Sequence, residues 1–208
     1  MGQVLGLSAV KVQRPVTGNL EFDMKNANPS LAELLNMGWN CISAPPAGAS
    51  DFANVVTLAT SSPAGAQARS VVIRTADART RQVCIHTDPA TPKLAEIAQD
   101  PRVTLLCWSP TNRVQLRLRG LAKRDDPAAT LSAWNAIADT NRRNYGVTPP
   151  SGHTIAAAQD YARLPEPDRF AVIRIKALEI DVIRLGRPDD IRGHFVAGDG
   201  WRGRWIAP

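Results

Sequence analysis

The feature that most constrains the fold is a strict alternation of residue type over residues 114–119. Valine and leucine occupy the even positions, and glutamine and arginine occupy the odd positions. Successive side chains of a β-strand point to opposite faces, so this segment predicts a strand with one buried face. Other segments rich in β-branched or alternating residues predict further strands at 54–60, 67–74, 82–87, 103–108, 170–176, 179–185 and 201–206.

Short helices separate these strands. A capping box at residues 30–33 and prolines at the first helical positions, 92 and 127, mark three helix starts, and residues 155–161 predict a fourth helix. Strands and helices do not alternate regularly, which favours an antiparallel barrel over repeated β-α-β units. We therefore predict an α+β fold that is mainly β, an antiparallel barrel with flanking helices.

The chain of 208 residues is predicted to form an N-terminal arm, residues 1–29, and one domain, residues 30–208. No apolar run approaches the ~18 residues that a membrane helix needs. The first residues lack the basic and apolar segments of an export signal. The three cysteines are widely spaced in apolar surroundings, as in proteins of a reducing compartment. We expect a cytoplasmic protein that does not bind membranes.

The positive charge is concentrated in the middle of the chain. Residues 61–124 contain 11 basic and 4 acidic residues, a net charge of +7, whereas the whole chain has +6. This excess indicates nucleic acid, an anionic lipid or a phosphorylated small molecule as a partner. Nucleic acid is disfavoured, because Trp108 is the only Phe, Tyr or Trp in this segment that could stack on a base. The alternative is a general preference for arginine, which outnumbers lysine 20 to 5.

Several catalytic motifs are absent from the sequence. It contains no G-x-x-x-x-G-K-[ST], no H-E-x-x-H and no G-x-S-x-G, and its three histidines are scattered. Hydrolases and metalloenzymes are therefore disfavoured, and no metal site is expected.

Three groups of residues in the basic segment could recognise a phosphorylated ligand. Arg69 and Arg74 lie five positions apart, which places them on opposite faces of a regular strand. Thr91 and Lys93 stand at a predicted helix start, where free N–H groups and the helix dipole favour phosphate. Gln115 offers a donor and an acceptor to the edge of a heteroaromatic ring. The alternatives are surface arginines, an ordinary helix cap and a solvent-exposed strand face.

The order of the motifs resembles that of one family. It runs R-x-V-V-I-R, a strand ending in His-Thr, T-P-K, P-R-V-T-L-L-C-W and Q-L-R-L-R-G. This order is similar to that of the pyridoxamine 5′-phosphate oxidase-like, FMN-binding split-barrel family. Residues 108–120 resemble the family's W-x-P-x-x-R-x-Q-x-R-x-x-G stretch, and residues 201–208 resemble the W-x-x-x-x-L-A-P terminus of the oxidase itself. The resemblance covers residues 30–208 and implies a six-stranded split barrel, a homodimer and one FMN in each of two clefts between subunits.

The resemblance implies a set of FMN-binding residues: Arg69, Ser70, Val71, Val72, Arg74, His86, Thr87, Thr91, Lys93 and Gln115. Within this set, Thr91 and Lys93 match the family's S-R-K phosphate motif, and His86 matches an aromatic residue beside the flavin. Arg74, His86 and Gln115 are expected nearest the reactive ring. No residue is assigned a catalytic role, because the cofactor itself carries the electron chemistry.

The sequence departs from the family's pattern mainly at the substrate. Pro92 replaces the arginine of S-R-K. Asp190 stands where the oxidase has the first arginine of its R-L-H-D-R segment, which leaves Arg192 and His194 as candidate substrate-binding residues. The family's tryptophan that packs on the flavin is missing at residues 183–184. We therefore expect a largely retained FMN site and an altered substrate site.

The resemblance implies an FMN-dependent oxidoreductase that transfers two electrons between a small molecule and O₂ or another acceptor. Its specificity is expected to come from residues 128–161 and from the C-terminal segment. Two alternatives stay open: a flavin-binding module without turnover, and an authentic pyridoxamine 5′-phosphate oxidase. No motif identifies the substrate, the electron acceptor or the pathway.

Overall fold

A computed structural model describes residues 29–43, 54–186 and 189–208, so the predicted arm lies outside the described residues except for Pro29. The helices are α1 (Leu31–Asn40), α2 (Pro92–Gln99), α3 (Pro127–Ala136) and α4 (Asp139–Arg142). The strands are β1 (Val55–Ser62), β2 (Gly65–Asp77), β3 (Gln82–Thr87), β4 (Arg102–Ser109), β5 (Val114–Arg124), β6 (Val147–Thr148), β7 (Ala162–Arg163), β8 (Ala171–Arg184), β9 (Ile191–Val196) and β10 (Arg204–Ile206). No helix within these ranges is long and apolar enough to cross a membrane.

Six strands form a closed antiparallel barrel in the order β8-β3-β2-β1-β4-β5 and back to β8. This architecture confirms the predicted six-stranded, mainly β fold. The long strand β8 closes the barrel. It pairs with β5 along most of its length, with β3 through residues 171–176 and with β9 through residues 179–184. Strand β10 pairs with β9 and extends the sheet beyond the barrel.

The apolar faces of the strands fill the barrel interior. The side chains of Val114, Leu116 and Leu118 are fully buried, as the alternation in β5 predicted. Helix α1 begins at the predicted capping box and packs against β5, β8 and β9. Gly38 allows this close approach, because a Cβ at its position would lie 2.6 Å from Val182 Cγ2. The core therefore follows the same two-residue period that predicted the strands.

Two segments in the second half of the chain differ from the prediction. The predicted strands 170–176 and 179–185 form one strand, β8, because its pairing with β5 shifts register between Arg119 and Gly120 and so continues without a break. The predicted helix at 155–161 is wrong. There the Asp160 carboxylate accepts the backbone N–H of Ala157 at 2.8 Å and closes a local turn in place of a helix.

The C-terminal segment also differs from the prediction. Strand β9 was not predicted, because glycine and histidine interrupt its apolar pattern at Gly193 and His194. The predicted strand 201–206 begins only at Arg204, since Gly200 and Trp201 have φ angles of 70° and 65° and form a left-handed turn. The remaining predicted strands and helices are present, and several strands are longer than predicted.

Candidate functional site

A cleft of about 630 Å³ opens beside β2, β3 and the start of α2. Residues from these three elements meet in its lining, although they are separated in the sequence. The structure brings together nine of the ten predicted FMN-binding residues there, namely Arg69, Ser70, Val71, Val72, Arg74, His86, Thr87, Thr91 and Lys93. Their contact with FMN stays a prediction.

One end of the cleft carries an ammonium group and two hydroxyls. Lys93 Nζ donates hydrogen bonds to Thr87 Oγ1 at 2.8 Å and to Thr91 Oγ1 at 3.0 Å. Burial lowers the pKa of Lys93, and the nearby positive charge of Arg69 lowers it further. Thr91 precedes α2, but its hydroxyl donates to the Asp88 carbonyl at 2.7 Å and does not cap the helix. A partly buried cation at the N-terminus of a helix is suited to phosphate.

Arg69 is held in place by two groups behind the cleft surface. Its Nη2 forms an ion pair with Glu96 Oε2 at 2.7 Å, and its Nη1 donates to the hydroxyl of Thr60. Both partners are buried, so the planar guanidinium has one orientation. Because Glu96 and Lys93 both belong to α2, this helix positions two of the cations of the cleft.

Arg74 lies at a β-bulge. The ladder between β2 and β3 pairs Ile73 with Ile85 and resumes at Thr75, so Arg74 is the extra residue. A bulge breaks the two-residue period of a strand and re-aims the side chain. The opposite faces expected for Arg69 and Arg74 required a regular strand, and the bulge interrupts that regularity. Both residues line the cleft.

Two buried polar atoms of the cleft residues, Arg74 Nε and His86 Nδ1, have no hydrogen-bond partner within the part of the chain that the structure describes. Buried polar atoms are almost always hydrogen-bonded, which points to a ligand with a polar edge. Burial, with a smaller effect of Arg74, lowers the pKa of His86 to about 4 and keeps it neutral at pH 7. This region fits the edge of a flavin ring, and the region of Lys93 fits its phosphate.

The opposite wall of the cleft comes from the connection that follows α3. Sequence motifs did not single out its residues, which are Asn141, Asn144, Tyr145, Val147 and Ser151. Tyr145 is 4% exposed and packs edge-on against Phe170 with ring centroids 4.9 Å apart. Burial raises the pKa of Tyr145, so its phenol stays protonated at neutral pH. In the sequence, this wall was indicated only by its position within residues 128–161, the segment from which specificity was expected to come.

Gln115, the tenth predicted residue, is not part of the lining of this cleft. It lies on the outer face of β5 between the buried residues Val114 and Leu116. Its neighbours across the sheet are Trp108 on β4 and Ile183 on β8. Trp108 is 48% exposed, so the outer face around Gln115 is partly apolar.

The candidate substrate-binding residues Arg192 and His194 lie on β9 and are likewise outside the cleft lining. Arg192 forms a two-pronged ion pair with Asp181, with Nε 3.0 Å from Oδ1 and Nη2 2.9 Å from Oδ2. His194 Nε2 lies 3.6 Å from Glu179 Oε2. The structure does not bring these two residues together with the nine that line the cleft.

Comparisons with known proteins agree with this architecture. The family model of pyridoxamine 5′-phosphate oxidase matches residues 51–184. A pyridoxamine 5′-phosphate oxidase-related, FMN-binding protein from Nostoc punctiforme superposes with a TM-score of 0.64 at 22% identity, over 86% of this chain and 95% of that one. PhzG from Burkholderia lata, in complex with tetrahydrophenazine-1-carboxylic acid, gives a TM-score of 0.63 at 16% identity, over 91% and 98% of the two chains. No curated protein sequence matches this chain significantly.

The substitution His86→Phe should reduce the loss of stability at acidic pH. The folded protein keeps His86 neutral down to about pH 4, whereas the unfolded chain protonates it near pH 6.5, so the wild type loses stability as the pH falls through this interval. The effect is on the order of 1–2 kcal/mol, because His86 is only partly buried. Urea unfolding at several pH values measures it. The exposed His153, replaced by Phe, is the control, and an equal change in both variants contradicts the prediction.

Proposed function

Because the chain belongs to the pyridoxamine 5′-phosphate oxidase family, we propose that it binds FMN and acts as an FMN-dependent oxidoreductase on a small molecule. The observation that carries this proposal is the single cleft lined by nine predicted FMN-binding residues. The two ends of the cleft differ in their chemical groups, as the phosphate and the ring of FMN require. Lys93 and two hydroxyls suit a phosphate, and the unpaired polar atoms of Arg74 and His86 suit the edge of a ring.

The residues of the cleft have distinct roles in this proposal. When bound, FMN supplies two-electron transfer at its ring system. Lys93 and the two hydroxyls would hold its phosphate. Arg74, which lines the cleft, would place a positive charge beside the ring and would stabilise the negative charge of its reduced form. His86 is neutral at pH 7, and its unpaired Nδ1 would form a hydrogen bond with the ring without adding charge.

We propose that the substrate differs from pyridoxamine 5′-phosphate. The wall that contains Tyr145 offers two amides, one hydroxyl and a phenol, but no cation among its described residues. Asp190 accepts the backbone N–H of Gly186 at 2.8 Å, and Arg192 is already paired with Asp181. A ring compound without a phosphate, such as the acid bound by PhzG, suits such a wall better than a phosphorylated amine.

We further propose a homodimer in which the sheet face that carries Gln115 covers the cleft of the second copy. Gln115, Ile183 and Arg192 lie opposite one another on three adjacent strands and so share the outer face of the sheet. On β4 the same face carries the exposed apolar side chains of Leu106 and Trp108, which a second copy would cover. The three cysteines are free thiols, and we place this dimer in the cytoplasm.

Lys93→Ala should weaken FMN binding about tenfold or more, because a charge-assisted hydrogen bond to the phosphate is lost. Riboflavin has no phosphate and should bind almost as before. Titrations followed by flavin fluorescence give both affinities. Lys123→Ala, which removes an exposed lysine of β5, is the matched control and should leave FMN binding unchanged. Equal losses for FMN and riboflavin would show that Lys93 does not contact the phosphate.

Trp108→Glu should dissociate the dimer and release FMN together, because it places a charge in the proposed interface. Sedimentation velocity gives the mass, and the absorbance of bound flavin gives the stoichiometry. Leu131→Glu alters an apolar residue of α3 that is 50% exposed, and it should change neither quantity. A wild-type monomer that binds one FMN per chain would refute the shared site.

Oxidation of pyridoxamine 5′-phosphate by the FMN-loaded protein should be about a hundredfold slower than by an authentic oxidase, because the charged contacts to its phosphate are missing. Aerobic formation of hydrogen peroxide and pyridoxal 5′-phosphate measures the rate. A panel of cyclic acids and NAD(P)H, tested in parallel, examines the broader activity. Turnover of about 1 s⁻¹ would identify an authentic oxidase, and bound flavin that none of these compounds reduces would favour a binding module.

A further inference from the structure

Asp88 lies at the junction of the two walls of the cleft. It is 8% exposed and directly follows Thr87 at the end of β3. Its Oδ1 accepts the backbone N–H of Ala90 at 2.8 Å, and its Oδ2 accepts the backbone N–H of Gly146 at 2.9 Å. One buried carboxylate therefore bonds the backbone of both walls.

Arg169 completes this junction. Its Nη2 lies 3.0 Å from Asp88 Oδ2 and donates to the Val147 carbonyl at 2.8 Å, while its Nη1 donates to Thr148 Oγ1 at 3.2 Å. The loop at residues 145–148 includes two residues of the cleft lining. Contacts with Asp88 and Arg169 therefore set the position of this loop, although both residues are distant from it in the sequence.

On the other wall, Asp88 shapes the turn at residues 88–91. Its backbone carbonyl accepts the N–H of Thr91 at 3.1 Å and the hydroxyl of Thr91 at 2.7 Å. Thr91 Oγ1 in turn accepts a hydrogen bond from Lys93 at 3.0 Å. Asp88 is thus connected through two hydrogen bonds to the ammonium group at the phosphate end.

We propose that Asp88 is a positioning residue that couples the two ends of the cleft. A phosphate bound beside Lys93 orders the turn at residues 88–91, and the Asp88 carboxylate transmits this order to the loop at residues 145–148, where Tyr145 faces the substrate. The inference rests on the proposed binding of FMN. Since coupling between two sites is reciprocal, a substrate that contacts the loop also tightens the binding of FMN. A buried ion pair such as that with Arg169 suits this task, because it fixes orientation more than it adds stability.

Asp88→Asn tests the coupling, because it removes the charge and one acceptor while the shape of the side chain is kept. The measurement is amide hydrogen exchange of residues 144–148 with and without FMN. In the wild type, FMN should slow exchange in this loop about fivefold or more. In the variant, FMN should still bind through Lys93 but should no longer slow this exchange. Protection of the loop by FMN to the same extent in the variant would overturn the proposal.

Two further sets of variants serve as controls. Asp125→Asn breaks the ion pair between Asp125 and Arg174. The side chain of Asp125 is 13% exposed, and that of Asp88 is 9% exposed, so the two carboxylates are similarly buried. This variant should leave the protection by FMN intact. Arg169→Lys retains a cation beside Asp88 and should restore part of the coupling that Arg169→Gln loses. These Arg169 variants carry the test if Asp88→Asn does not fold.

The possible failures are distinguishable. A wild-type protein that binds no FMN overturns the proposed function, and with it the source of the coupling. A wild-type protein that binds FMN while exchange at residues 144–148 is unchanged overturns the coupling alone. The exchange of amides in α1, which packs against β5, β8 and β9 and contributes no residue to the cleft lining, is followed in the same samples. It should be unaffected by FMN, which separates coupling from a general rise in stability.

Discussion

The pairing of β8 with three neighbours is the interaction on which the rest of the structure depends. Its 14 residues pair with β5 on one edge and with β3 and then β9 on the other. This arrangement closes the barrel, and closure satisfies the edges that an open sheet would expose. It also fixes β3 between β8 and β2. Residues distant in sequence, such as Arg69 and His86, therefore line one cleft.

The cleft is built from charges that are paired behind its surface. Glu96 holds Arg69, and Arg169 holds Asp88, in contacts with little exposure to water. Because desolvation of the charges is costly, such ion pairs add little to the stability of the fold. Burial nevertheless fixes the orientation of the paired side chains. Three of the eleven basic residues of segment 61–124 line this one cleft, and they are Arg69, Arg74 and Lys93.

The sequence predicted the features whose physical cause is local. The alternation in β5 predicted its buried face because packing inside a barrel has the same period as a strand. The wall that carries Lys93 could be predicted because its residue types suit a phosphate. The loop at residues 145–148 could not, since its position depends on Asp88 and Arg169, and no local pattern marks that contact. Strand β9 was missed because Gly193 interrupts its pattern, and the pairing with β8 overrides that local weakness.

The bulge at Arg74 links the length of β2 to the lining of the cleft. The ladder joins Ile73 to β3 and continues at Thr75, so β2 contains one residue more than its partner can match. The ladder with β3 leaves Arg74 unmatched, and this residue belongs to the lining of the cleft. At this point of β2, one residue therefore sets both the length of the strand and part of the lining of the cleft.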